Sequence, residues 1–267
     1  MISQRAKRII TEYAANLSEY FCSGNKTILL DIVEDEGLLL HIDDYEDAFD
    51  GMLVWDPPMF HIHLNQAKGN FPTSKRGRFT LAHELGHYII NSHREGLRRG
   101  IFNPHPSNQA LVQKYEIEKE ADYFASCLLM PREKLRKFTG GRKFSLSIIE
   151  EVSEAFQVSL TSAVIRFAEA GNHEILAVFS SGNIVKWYCK SDDFPRLPHK
   201  FKSGEKLPPT TVAGEFYTKL NSKYTDVEPV DVEDWFHCQD WAPKYQMYEQ
   251  CFYSDIYEFV ISLIWFQ

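Results

Sequence analysis

The stretch that decides the interpretation of this chain reads Arg78-Phe79-Thr80-Leu81-Ala82-His83-Glu84-Leu85-Gly86-His87. On an α-helix, residues four positions apart are separated by about 6 Å along the axis and about 40° in rotation. His83 and His87 therefore share one helix face, where two imidazoles can hold a single tetrahedral metal ion. Glu84 follows the first histidine, so its carboxylate can take a proton from water at the metal without being a ligand itself. The sequence predicts a metal site with a built-in general base.

The residues around this motif argue against a chance pentapeptide on an exposed helix. The predicted helix runs from Ser74 to about Asn91, and its apolar positions flank both histidines. A largely buried histidine needs a polar partner. A metal ion would supply one partner to both rings at once.

A catalytic zinc ion needs a third protein ligand. The helix predicted over Gln109–Met130 offers Glu116, Glu118 and Glu120, which at about 100° per residue cannot all face the same way. Glu118 and Asp122 share a face, whereas Glu120 points nearly opposite to Glu118. We predict Glu118 as the third metal ligand and Asp122 as the carboxylate that holds the N–H of a ligand histidine. The alternative is a solvated acidic helix face.

Composition narrows the classes of protein that this chain can represent. Its 267 residues include 29 basic and 37 acidic side chains, for a net charge of −8, so the whole chain is not an electrostatic binder of nucleic acid or of an anionic membrane. The five cysteines never form a CxxC pair, which favours a reducing compartment. No apolar run reaches the ~18–20 residues of a membrane span, and the N-terminus lacks an apolar signal-peptide core. We expect a cytoplasmic protein with no membrane partner.

These segments together resemble the ImmA/IrrE family of bacterial metallopeptidases. The resemblance rests on Arg78–His87, on Glu118–Ala125 and on Leu128–Pro131. It extends with high specificity over about residues 60–131 and more weakly over the rest of the chain.

The resemblance implies both a cofactor and a substrate. The cofactor is Zn²⁺, with Mn²⁺ or Fe²⁺ as alternatives in the cell, held by His83, His87 and Glu118, and the base is Glu84. The implied substrate is a transcriptional repressor of the helix-turn-helix kind. Its cleavage would induce stress-response, phage or mobile-element genes.

The predicted fold class is α+β, in three parts. Residues 1–131 form a zincin-like zinc metallopeptidase domain, residues 132–171 a helix-turn-helix-like region, and residues 172–267 an α+β regulatory domain that can be GAF-like. An amphipathic helix is predicted over Arg5–Phe21, and a polar loop over residues 92–107. The strands predicted in the first part cover Thr27–Ile32, Gly37–Ile42, Gly51–Trp55 and Met59–Leu64.

The helical region raises the question of DNA binding. Its helical patterns cover Ser147–Phe156 and Leu160–Glu169, after a segment that is rich in lysine and arginine. The second helix, however, offers Arg166 as its single basic residue, whereas sequence readout uses several polar or basic residues at the start of such a helix. We therefore favour packing or docking of a partner over direct DNA binding.

His61 and His63 alternate with apolar residues and occupy one face of a predicted strand. In gluzincin-like enzymes, a strand beside the metal helix commonly pairs with an extended substrate. Two histidines on the solvent side of the strand remain the favoured interpretation.

A different functional class is also consistent with the motif. The metal site could stabilise a non-proteolytic regulatory module that binds DNA or protein. Glu84 argues against this alternative, because a purely structural metal site has no need of a base.

Overall fold

A computed structural model describes residues 2–101, 116–217, 224–238, 245–254 and 259–267. The chain divides into two compact units. The N-terminal unit comprises Met1–Leu135 with Glu151–Ser162, and the C-terminal unit comprises Arg136–Glu150 with Ala163–Gln267. Both units contain helices and strands, which confirms the α+β class. The three-part division at residues 131 and 171 stays a prediction.

The N-terminal unit begins with a helix and contains a three-stranded sheet whose inner face is covered by helices. Its elements are α1 (Gln4–Tyr20), β1 (Cys22–Ser23), β2 (Lys26–Thr27), α2 (Leu29–Asp35), β3 (Leu39–Asp43), β4 (Gly51–Asp56), β5 (Met59–Asn65), α3 (Lys75–Ile89), α4 (Asn91–Arg98) and α5 (Glu116–Leu129). Three further helices each include residues of both units: α6 (Arg132–Thr139), α7 (Leu146–Phe156) and α8 (Leu160–Ala170).

The sheet has the strand order β3-β5-β4. β3 lies parallel to β5, and β4 lies antiparallel to it. Alternate residues of β5 (Phe60, Ile62 and Leu64) are buried, as expected for a strand with one face on the core. α3 packs against β4 and β5 on this inner face. β4 is therefore an edge strand of this sheet, and it packs against α3, the helix that carries His83 and His87.

A close approach of α3 and α5 brings their residues together. A Cβ atom on Gly86 would lie 3.2 Å from Cα of Ala121 and 3.1 Å from the ring of Phe124. The missing side chain therefore leaves room for Ala121 and Phe124 of α5 to pack directly against the backbone of α3. α3 begins at an N-cap, where the Ser74 side chain accepts a hydrogen bond from the Gly77 amide.

Two expectations about local structure were wrong. The region predicted as a strand over Thr27–Ile32 contains only the end of β2 and then enters α2. Leu29, Ile32 and Val33 are buried at helical spacing, so burial of one helix face overrides the apolar run that favoured a strand. The loop predicted over residues 92–107 begins with α4, which buries His93 and Leu97; its residues from 102 onward lie outside the described residues.

The C-terminal unit is built on a five-stranded antiparallel sheet with the strand order β7-β6-β10-β9-β8. The elements are β6 (Ile175–Ser181), β7 (Ile184–Lys190), α9 (Val212–Phe216), β8 (Glu228–Val230), α10 (Val232–Trp235), β9 (Met247–Ser254) and β10 (Phe259–Phe266). The apolar run Phe259–Phe266 thus forms β10, the buried central strand of this sheet. Across the described residues of both units, no helix is long and apolar enough to cross a membrane.

A buried carboxylate joins three elements of the C-terminal unit. Glu249 on β9 is fully buried and accepts hydrogen bonds from the Val212 and Ala213 amides, at 3.0 and 2.9 Å. It also accepts from the Trp235 indole N–H at 2.8 Å and from the Ser262 hydroxyl. Burial raises the pKa of Glu249, and these hydrogen bonds oppose the rise. Both carboxylate oxygens are therefore engaged as acceptors.

Glu249→Gln is expected to destabilise the C-terminal unit by about 2–3 kcal/mol, because an amide nitrogen cannot accept the hydrogen bonds that one oxygen now receives. The measurement is urea unfolding monitored by tryptophan fluorescence, since Trp235 contacts the carboxylate directly. The exposed Glu228→Gln on β8 is the matched control. Equal midpoints for the two variants would contradict the prediction.

Candidate metal centre

The two histidines of the motif lie on the buried face of α3. His83 is 4% exposed and His87 is 2% exposed. Their Nε2 atoms lie 3.1 Å apart, so both rings present a nitrogen to the same point. This is the arrangement that the four-residue spacing predicts.

Glu118, in the first turn of α5, completes the group. Its two carboxylate oxygens lie 3.3 Å from Nε2 of His83 and 3.2 Å from Nε2 of His87. One ligand atom from each of the three residues lies within 4.8 Å of the others, and all three side chains are buried. Two imidazoles and one carboxylate are a donor set that suits zinc and neighbouring divalent transition metals. The residues therefore fit a bound metal ion.

The Asp122 side chain lies one turn after Glu118 and contacts the same histidine. Its Oδ1 is 2.9 Å from Nδ1 of His83, on the side of the ring opposite the Nε2 atom. A carboxylate in this position fixes the tautomer of a metal-binding histidine. Burial alone lowers the pKa of His83, but the hydrogen bonds to Asp122 and Glu118 outweigh it and raise this pKa well above the ordinary value. The site thus has the electrostatic character of a cation site.

The general-base candidate, Glu84, is fully buried beside this group. It lies against the first residue of β4, since a Cβ atom on Gly51 would come within 2.8 Å of Oε1 of Glu84 and 2.5 Å of Cγ2 of Thr80. Only glycine at position 51 leaves the carboxylate its present place. The edge strand and the base are therefore in direct contact.

A network of hydrogen bonds holds the start of β4 against α3. The Asp50 carboxylate, which is buried, accepts from Arg76 at 2.6 Å and from the Asn70 side-chain amide at 3.0 Å. The Thr80 hydroxyl donates to the carbonyl oxygen of the same Asn70 side chain at 2.7 Å. The two bonds to the Asp50 carboxylate are charge-assisted and therefore stronger than neutral hydrogen bonds. They fix Gly51 where it meets Glu84.

The pairing of His93 with Glu120 was not predicted from the sequence. His93 on α4 is 1% exposed, its Nε2 lies 3.0 Å from Oε2 of Glu120, and its ring centroid lies 5.2 Å from that of His87. Burial and the neighbouring His87 lower the pKa of His93, and the hydrogen bond to Glu120 opposes this shift. Glu120 and Glu118 point to different sides of α5, and Glu120 contacts His93 instead of the two motif histidines. The signal was weak, because α4 fell in a predicted loop.

Other residues considered from the sequence lie away from this group. His61 and His63 are on β5, the central strand, and face away from α3, so the strand that pairs with a substrate cannot be β5. Tyr88 packs edge-on against Phe60, with centroids 5.4 Å apart. The start of the helix predicted over Gln109–Met130 lies outside the described residues.

The fold and the site define a protein whose HExxH helix lies beside a three-stranded sheet and carries two histidines that could bind a metal ion. Residues 57–168 match the model of the IrrE N-terminal-like domain of the M78 peptidase family. A solved structure of a Mycobacterium tuberculosis transcriptional regulator has a similar fold, with a TM-score of 0.58 and 12% sequence identity over 98% of this chain and 75% of that chain. At this identity the likeness concerns the fold alone. None of the curated proteins matches the sequence.

Proposed function

We propose that this protein is a zinc-dependent endopeptidase of the cytoplasm that cleaves a specific protein substrate. The observation that carries the proposal is the convergence of His83, His87 and Glu118 on one point, with the buried Glu84 carboxylate next to them. The match of residues 57–168 to a domain of the M78 peptidase family supports it. We assign His83, His87 and Glu118 as metal ligands, Glu84 as the general base and Asp122 as the residue that orients His83.

A bound metal ion would polarise the scissile carbonyl and make water more acidic. The side chains of the protein do the remaining work. Glu84 takes the proton from the attacking water and delivers it to the leaving amine, as a positioned carboxylate can. Asp122 accepts the Nδ1 proton of His83 and so leaves Nε2 free to bind the metal.

The substrate backbone can be placed by β4. In the order β3-β5-β4, one side of β4 is paired with β5 and the other side is the sheet edge. An extended peptide that adds to such an edge gains main-chain hydrogen bonds. Because β4 starts at Gly51, a peptide paired along it passes next to Glu84.

Gly51→Ala is expected to slow peptide cleavage by about 10²-fold, since a displacement of about 1 Å at a catalytic group has that effect. The added Cβ must displace Glu84 or Thr80, whose atoms are the nearest to it, and neither of these is one of the three proposed ligands. The measurement pairs a cleavage rate with the metal content of the purified protein. The control is Met52→Ala, which changes the next residue of β4, where the side chain is half-buried. Normal cleavage by Gly51→Ala, or loss of its metal, would contradict this account.

As to the substrate, we propose a helix-turn-helix transcriptional repressor. The family resemblance supports this substrate, and the fold shared with a transcriptional regulator is compatible with a role in transcription. We also propose that residues 132–171 act as a helix-turn-helix-like docking region and that the C-terminal sheet domain is a GAF-like regulatory domain. Arg166, the basic residue of the second helix, is 2% exposed and pairs with Glu169 at 3.2 Å, which disfavours direct DNA contact.

Charge reversal can test the docking role. Arg136 must be spared, because it donates hydrogen bonds to the carbonyls of Ala170 and Gly171, at 3.0 and 3.1 Å. Lys137, Arg142 and Lys143 are exposed. The triple change of these three to Glu is expected to slow repressor cleavage about tenfold or more at low salt, with a smaller effect at high salt. Thermal unfolding and metal content should not change. An unaltered cleavage rate across all salt concentrations would exclude this surface.

The decisive experiment is a digest of candidate repressors with the zinc-loaded protein, read by mass spectrometry. One cut in one repressor, with unstructured casein left intact, is the expected result. Rapid cleavage of casein would indicate a general peptidase. Zinc binding with no cleavage of any repressor would favour the non-proteolytic regulatory module.

A further inference from the structure

The outer face of the N-terminal sheet carries three histidines on neighbouring strands. Residues two apart on a strand share a face, so His61 and His63 of β5 point to the same side. β3 pairs in parallel with β5, and His41 is the register partner of His63. We call His41, His61 and His63 the histidine face. All three side chains are partly exposed, and they lie on the side of β5 opposite the buried Ile62.

The imidazoles of the histidine face are in mutual contact. The His41 ring is stacked on His61 with centroids 5.2 Å apart and on His63 with centroids 4.7 Å apart. The Nε2 atom of His41 and Nδ1 of His61 share a hydrogen bond at 2.9 Å, so a metal ion would take the place of the proton between them. Two nitrogens bound to one tetrahedral zinc ion at its usual bond length are about 3.3 Å apart. The pair is thus already close to a chelating separation, as are the two histidines of the candidate metal centre at 3.1 Å.

We propose that the histidine face binds a divalent transition-metal ion that prefers imidazole, such as Zn²⁺ or Cu²⁺. His41 and His61 are the first two ligands, and His63 is the third. This site is separate from the candidate metal centre and does not depend on the proposed peptidase function. Three imidazoles are a sufficient protein ligand set for zinc.

The third ligand requires a side-chain movement. Nδ1 of His63 lies 2.8 Å from the Tyr45 hydroxyl, so this ring must turn before it can join the pair. Among the described residues, the group whose three ligand atoms already converge within 4.8 Å is His83, His87 and Glu118. We therefore expect weaker binding at the histidine face than at the metal centre. Because the three rings are partly exposed, the ion can enter directly from solvent.

Metal stoichiometry tests the proposal. The full-length protein, stripped with a chelator, is titrated with Zn²⁺ in a calorimeter at neutral pH. We expect two equivalents per chain for the wild type, and one for the double variant His41→Gln/His61→Gln. His237→Gln, which changes an exposed histidine of the C-terminal unit, is the matched control and should keep two. The proposal is overturned if the double variant binds as many equivalents as the wild type.

Repeating the titration in the Glu118→Gln variant distinguishes zinc bound at the histidine face from zinc bound at the metal centre. Glu118→Gln should weaken the metal centre and leave the histidine face intact, so the remaining equivalent must disappear when the double change is added. If the metal centre binds no zinc at all, the wild type binds one equivalent, and only the double change removes it. Should the double variant not fold, as judged by its unfolding temperature in chelator, the single variant His61→Gln replaces it. Retention of the weaker equivalent in that single variant at unchanged affinity would also overturn the proposal.

Discussion

Glu84→Gln is expected to abolish peptide cleavage and to leave metal binding unchanged. A general base contributes about 10²–10⁴-fold to a hydrolytic rate, and an amide cannot take up the proton. Glutamine has nearly the same shape as glutamate, so it should fit the tight space beside Gly51. Single-turnover cleavage of the repressor, measured together with metal content, checks both parts of this expectation.

The control is the metal content of the variant, because a loss of metal would explain inactivity without any role for the base. Glu84 is not among the three residues that converge on the metal position. Residual cleavage within about threefold of the wild-type rate would show that another group activates the water. In that case the role of Glu84 would be structural.

Glu118→Gln is expected to lower metal affinity by more than about 100-fold. Removing a residue that merely supports a ligand already costs about 10–100-fold, and Glu118 is proposed as a ligand itself. Its carboxylate is the negative charge that lies 3.3 and 3.2 Å from the two histidine nitrogens. Competition with a chromophoric chelator measures the affinity.

Glu120→Gln is the matched control, since it makes the same chemical change two residues away on α5. Its partner is the buried His93, so we expect a modest loss of stability with metal affinity near that of the wild type. Equal losses of affinity in the two variants would refute the assignment of Glu118. The reverse order would assign the ligand to Glu120 instead.

Periodicity could predict most of the candidate metal centre because helix geometry is local. The spacing of His83 and His87 fixed their common face, and the phase of α5 separated Glu118 from Glu120. Asp122 followed from the same phase, and the structure brings it within 2.9 Å of His83. These relations depend only on 3.6 residues per turn.

Contacts between elements could not be predicted in the same way. Gly86 lets α3 approach α5, and Gly51 lets β4 approach Glu84, but a glycine in a sequence does not reveal which neighbour it admits. His41 joined His61 and His63 only through the parallel pairing of β3 with β5. α2 was predicted as a strand because a short apolar run fits both kinds of structure until its packing is known.

The contact between Gly51 and Glu84 offers a way to sort related sequences. A homologue can keep the counterparts of His83 and His87 and of the carboxylates Glu84, Glu118 and Asp122. It can still carry a larger residue where this chain has Gly51. Such a homologue would retain its metal but would hold its base out of position. The size of the residue at position 51 therefore separates relatives that can catalyse hydrolysis from relatives that bind a metal without catalysis. The HExxH motif by itself does not separate these two groups.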